Sequence, residues 1–188
     1  MNHSATAATP HRIVTLLDTI AEITGTTTAW LTGLMVIIAS VVVGLRHLFN
    51  IGSIGLQESV TYMHAAVFML GAAYTLKNDG HVRVDILHKK MSPSTRAWVE
   101  VLGSLLFTLP VMVLIGWGSL EFVRESWRIH EGSTDSGGIG GVYLLKTLLP
   151  VMAVSLSLQA IAELLRNLLA LMNLAPFPSA SAAEDSSC

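Results

Sequence analysis

The stretch Leu56–Leu87, LQESVTYMHAAVFMLGAAYTLKNDGHVRVDIL, decides how the rest of the chain is read. Its first two-thirds is an apolar, small-residue run long enough to cross a bilayer as a helix. Its last third, Lys77 to Asp85, is a polar strip joined directly to the end of that run. The middle of the helix is built from Ala65, Ala66, Gly71, Ala72 and Ala73. Small residues of this kind let membrane helices approach closely. His64 shares a stripe with Val67 and Gly71. A lone imidazole there is more often a packing or hydrogen-bonding group than a ligand.

The composition around this stretch agrees with a membrane protein. Of 188 residues, 52% are hydrophobic and only 13% charged, and the mean hydropathy is +0.59. A soluble domain carries about a quarter charged residues. The net charge of −2 gives no sign of nucleic-acid binding. The single cysteine, Cys188, excludes an internal disulfide and any cysteine-based metal motif.

Working outward, the segment PHRIVTLLDTIAEI from Pro10 places Ile13, Leu16, Leu17, Ile20 and Ile23 at helical spacing, with Arg12, Asp18 and Glu22 off that stripe. This predicts an amphipathic helix lying on the membrane surface or packed on another protein. It does not read as a signal peptide, because the first long apolar run starts far from Met1 and acidic residues precede it.

A first span is expected at about Thr28 to Leu45 and a second at about Gln57 to Leu76. The short Gly/Ser turn between them makes the two antiparallel neighbours. Arg46 closes the first span and Glu58 opens the second, so both fall at one membrane face, where an ion pair is expected. The alternative is that each reaches water separately.

Ser92-Pro93-Ser94 resembles a helix N-terminus. A third span follows at about Ala97 to Gly118, with a kink expected at Pro110. The helix is expected to run on past the membrane through Ser119–Glu131, with Glu121–Arg124 and Glu125–Arg128 as possible surface pairs. Residues 132–141 form a Gly/Ser loop without the Gly-Lys-Ser/Thr of a phosphate loop. The fourth span is about Val142 to Leu165. Lys146 and Pro150 lie near its start and Gln159 within it.

The predicted architecture is an all-α integral membrane protein: four transmembrane helices plus an N-terminal amphipathic interfacial helix. Residues 1–26 form the tail and amphipathic helix, 27–167 the four-helix membrane domain, and 168–188 a disordered tail.

Lysine and arginine fall unevenly. Arg12, Lys77, Arg83, Lys89, Lys90, Arg96 and Arg166 lie on one side, and Arg46, Arg124, Arg128 and Lys146 on the other. The richer side is expected to be cytoplasmic, with both termini.

No enzyme constellation stands out. His81, Arg83 and Asp85 would point the same way in an extended chain, but no nucleophile accompanies them, and a polar turn is the simpler reading. Haem would need two axial ligands at matching depth, and His64 is the only histidine well inside a span. A haem-binding anchor of a redox complex is therefore the alternative reading, requiring a second ligand from elsewhere. A stand-alone membrane protein is a third. No span carries a charge at its middle, as a transport pathway would normally require. The residues themselves point to a partner-binding membrane scaffold, without cofactor or metal.

The segment Gly71–Leu87, GAAYTLKNDGHVRVDIL, resembles the small membrane subunit (DctQ-like, Q-type) of TRAP transporters, the tripartite ATP-independent periplasmic family. The resemblance lies in His81-Val82-Arg83-Val84-Asp85 after a small-residue helix end. Arg46 followed by Glu58, Pro110 in the third span, Lys146 with Pro150, and Leu158-Gln159 are similar in order. The resemblance implies a permease subunit of a secondary symport system for organic acids such as dicarboxylates, in the inner (cytoplasmic) membrane. It implies as partners a large M-type membrane subunit and a periplasmic solute-binding protein. The large subunit would carry the solute and ion sites and move them, while the small one widens and anchors its stationary part. Arg46, Glu58, His81, Arg83, Asp85, Lys146 and Gln159 become the candidate structural and subunit-interface residues. Which solute is carried is not encoded here.

Overall fold

The computed structural model describes residues 8–78 and 91–172, with side chains from residue 14 onward. The described residues form helices joined by turns, without a strand. We number them α1 (Ala8–Phe49), α2 (Ile54–Lys77), α3 (Pro93–Gly103), α4 (Leu109–Arg128) and α5 (Val142–Leu171). A π-helical turn, Ser104–Thr108, joins α3 to α4.

α1 is one uninterrupted rod of 42 residues. The expected break between a surface helix and the first span does not occur. The threonines there do not end the helix, because their hydroxyls bond back to carbonyls of the preceding turn. Thr27 Oγ1 donates to Ile23 O at 2.8 Å and Thr28 Oγ1 to Gly25 O at 2.8 Å. At about 1.5 Å per residue the rod is roughly 63 Å long, twice the ~30 Å hydrocarbon core.

The π turn answers Pro110. Proline has no N–H, and its ring crowds the carbonyl four residues earlier. The helix accommodates this by widening, so that Leu109 N–H bonds to Ser104 O, five residues back. The N-terminus of α3 is capped as its sequence suggests: Ser92 Oγ accepts from Thr95 N–H at 3.3 Å, and Pro93 opens the helix.

The rods alternate in direction. Gly25 meets Tyr74 and Thr28 approaches Gly71, so α1 and α2 are antiparallel. A β-carbon on Gly25 would sit 2.3 Å from two Tyr74 ring atoms, so only glycine permits this crossing. Gly116 of α4 faces Ala153 of α5 in the same small-residue manner. α5 is the hub and packs on all the others. Its buried residues are mostly small or polar: Ala153, Gln159, Ala160, Ala162, Glu163 and Ala170, with Leu156.

Three rods are long and apolar enough to cross a membrane: Val14–Phe49, Pro93–Arg128 and Val142–Leu171. Four were expected. α2 falls short in hydropathy because Gln57, Glu58 and His64 lie in it, yet it packs between α1 and α5. Outside the packed seams the surface is strongly apolar: Trp30, Ile37, Phe107, Leu114 and Trp117 are all exposed. So large an apolar surface calls for lipid or another membrane chain to cover it. α5 extends to Leu171, so residues 168–171 belong to the bundle and not to the expected tail. The rest of the expected tail, beyond Met172, and the strip 79–90, with His81, Arg83 and Asp85, lie outside the described residues.

Candidate functional site: polar clamps at the two ends of the bundle

The polar contacts between the helices gather at the two ends of the bundle. At the loop end, Glu58 in the first turns of α2 receives the Gly/Ser loop. Ile139 N–H donates to Glu58 Oε2 at 2.6 Å, and the Ser133 hydroxyl donates to Oε1. The loop holds its own shape through Ser133 N–H on Ile139 O at 3.0 Å. Gly138 is needed there, since a β-carbon on it would stand 2.7 Å from Glu58 Oε1 and 2.3 Å from Ser133 Oγ.

The expected Arg46–Glu58 ion pair is absent: Arg46 is exposed and has no ion-pair partner among the described residues. A backbone N–H and a hydroxyl satisfy the carboxylate without desolvating a guanidinium, which is costly to bring out of water. The loop, which offered no recognisable pattern in the sequence, thus supplies the partner that Arg46 was expected to be.

Beside this contact lies a second carboxylate. Glu131 accepts from Ser126 Oγ at 2.6 Å and pairs with Lys146. Lys146 Nζ also stands 3.8 Å from the centre of the Phe122 ring, a cation–π arrangement. The Lys146 hydrogen bond, then that of Ser126, holds the Glu131 carboxyl below its ordinary value, against a desolvation that raises it. Trp127 Nε1 donates to Thr147 Oγ1 at 2.8 Å, and its ring meets Tyr143 edge-on at 4.7 Å. These contacts fasten α4 to α5. Of the two possible surface pairs on α4, Glu125–Arg128 forms, at 2.6 and 2.8 Å, while Glu121–Arg124 does not.

At the opposite end, Asp18 of α1 is the centre. Arg166 Nη2 donates to both its carboxylate oxygens, at 2.9 and 2.8 Å, and Gln159 Nε2 to one of them at 3.2 Å. Gln159 is only 2% exposed. From α2, Lys77 Nζ donates to Asp18 O at 3.1 Å and pairs with Glu22. One short cluster therefore ties α1, α2 and α5 together. An apolar pocket of about 430 Å³, lined by Ile20, Leu70, Val151 and Val154, opens beside Gln159.

Residues 33–170 match the family described as tripartite ATP-independent periplasmic transporters, DctQ component. The chain belongs to the DctQ family. No curated protein and no solved structure matches it.

Within the DctQ match fall Glu58, Glu131, Lys146, Gln159 and Arg166, whereas Asp18 and Glu22 precede it. As a DctQ component the protein is a multi-pass membrane protein and a part of a TRAP transporter. Of the candidate residues, the structure brings Glu58 and Lys146 to the loop end and Gln159 to the other. Asp18, Glu22 and Glu131 were not singled out from sequence. One signal was available: Gln159, Glu163 and Arg166 fall four and three residues apart, a polar stripe on an otherwise apolar helix. Such a stripe demands a partner, but nothing in it says that the partner is Asp18.

Proposed function

We propose that this protein is the small permease subunit of a TRAP-type secondary transporter, holding the large membrane subunit in a fixed frame. That subunit takes up organic acids, carboxylates above all, driven by an ion gradient, after a periplasmic protein has bound and delivered them. The observation that carries this reading is the family match across residues 33–170. The placement of polar groups supports it. The clustered charges satisfy one another at the two ends of the bundle, as in a brace, and the middles of the spans carry no charge.

The frame lies in the cytoplasmic membrane with both termini and residues 79–90 inside, as the lysine and arginine distribution favours. The loop end carrying Glu58 and residues 132–141 then faces the periplasm, where the binding protein arrives. Arg46, exposed at that end, and the strip of His81, Arg83 and Asp85 act in assembly with the partner, not in solute recognition.

Uptake by proteoliposomes tests the reading. The co-purified pair with its binding protein is expected to take up a carboxylate when an ion gradient is imposed, and this chain alone is expected to take up none. Uptake by the isolated chain, or full uptake by the large subunit without it, would refute the scaffold role. Labelling of Lys89 from the periplasmic side would refute the orientation.

A further inference from the structure

The exposed faces of α1, the α3–α4 rod and α5 carry apolar residues through the middle of the bundle. On α1 these include Trp30, Leu34, Ile37 and Val41. The exposed hydroxyl there, Ser40, is satisfied by Val36 O at 2.8 Å. On α5 the exposed residues are Leu144, Val151, Val154, Leu158, Ile161 and Leu168.

α2 is different. Its exposed residues between Gln57 and Phe68 are Gln57, Thr61, His64 and Phe68. At about 100° per residue they fall within an arc of roughly 60°. They form one stripe on the side of α2 turned away from α1 and α5. His64 lies about 15 Å along the helix from its start, near the middle of α2, and makes no hydrogen bond among the described residues. Thr61 Oγ1 reaches only Gln57 O, at a long 3.5 Å. Facing lipid, the imidazole in the middle of the helix would keep its donor and acceptor unmet, in a medium that offers none.

We infer that the stripe Gln57–Thr61–His64–Phe68 is where a transmembrane helix of the large subunit docks, presenting a hydrogen-bonding side chain opposite His64. This rests on the function proposed above and names the face through which it operates. The chemistry selects the occupant. An acyl chain offers nothing to an imidazole, whereas an amide, hydroxyl or carboxylate on a facing helix satisfies it, as polar side chains do across membrane helices. Phe68 then supplies an apolar contact one turn beyond. The apolar faces of α1, α4 and α5 are left to lipid.

Site-specific photocrosslinking in the co-expressed pair tests this in an otherwise unaltered chain. A benzophenone amino acid is placed singly at Thr61 or Phe68, and for comparison at Ile37 of α1 and Leu114 of α4. Crosslinks to the large subunit are expected from the α2 positions and not from the other two. A second measurement uses the pair in detergent: His64→Leu is expected to lower the recovered large subunit at least fivefold at unchanged membrane level of this chain, with His64→Gln retaining most of it. Links from Ile37 or Leu114 but not from α2, or links from α2 to a second copy, would overturn the inference and leave the proposed function standing. Recovery unaffected by His64→Leu would likewise overturn the role given to the imidazole. Failure of the wild-type chains to co-purify or crosslink at any of the four positions would overturn both.

Discussion

Replacing Asp18 by alanine removes the carboxylate through which α1 holds α5, while the backbone carbonyl that accepts from Lys77 of α2 remains. Arg166 then loses both charge-assisted bonds, at 2.9 and 2.8 Å, and Gln159 loses the bond at 3.2 Å. Breaking a fully buried ion pair costs about 3–5 kcal/mol, and an exposed one about 0–1 kcal/mol. The side chains of Arg166 and Asp18 are 28% and 25% exposed, which puts the pair between these limits, at roughly 2 kcal/mol. The buried Gln159 amide adds about 1 kcal/mol for its lost partner. A loss of about 3 kcal/mol corresponds to a fall of roughly 6–12 °C in Tm for a chain of this size. The assay is unfolding of the purified protein in mixed micelles, for Asp18→Ala, Arg166→Ala and the double variant. Arg166→Ala leaves Asp18 unpaired, so each single change should be costly and the double change little worse than either. A coupling of about 2 kcal/mol is expected. Additivity within about 0.5 kcal/mol would show that the contact does not hold the helices together.

The remaining predictions concern the loop end and the α1–α2 crossing. Glu58→Gln is expected to release residues 132–141, seen as faster proteolytic nicking of that loop, and adding Arg46→Ala should change the rate no further. Glu131 has a folded pKa below the unfolded one, so the unfolded chain binds more protons as the solution is acidified, and stability rises with pH in that window. The contribution is complete above about 4.5 and is lost as pH falls through the lower folded value; Tm of the wild type should therefore drop more steeply below pH 4.5 than that of Glu131→Gln. Gly25→Val drives side-chain atoms into Tyr74 and should cost about 1–3 kcal/mol in the same micellar unfolding assay, while Gly33→Ala, with open space around it, should leave Tm unchanged.

What could be read from the chain alone is what depends on composition and local spacing. Long uncharged runs can satisfy their backbone in lipid only as helices, so the helical class and most of the rods follow directly. Ser92-Pro93 marks the start of α3, and Pro110 marks a distortion, although its form, a π turn ending two residues upstream, depends on how the helix redistributes its hydrogen bonds. The order Arg46, Glu58, Lys146, Gln159 and the strip beginning at His81 were enough to suggest the family.

The pairing of side chains between helices lay beyond that reading. Arg46 and Glu58 are close in sequence, and proximity alone made them partners. The fold instead brings Ile139 and Ser133 to Glu58 from 81 and 75 residues away, because a glycine-rich loop can press its backbone against a carboxylate. Asp18 and Arg166, 148 residues apart, meet because α5 lies against both α1 and α2. Local propensity acts within a few turns of helix, and it therefore determined which segments are rods. Which charges neutralise which, and which face of α2 remains open, depends on how rods far apart in sequence lie side by side, and only the packed bundle decides that.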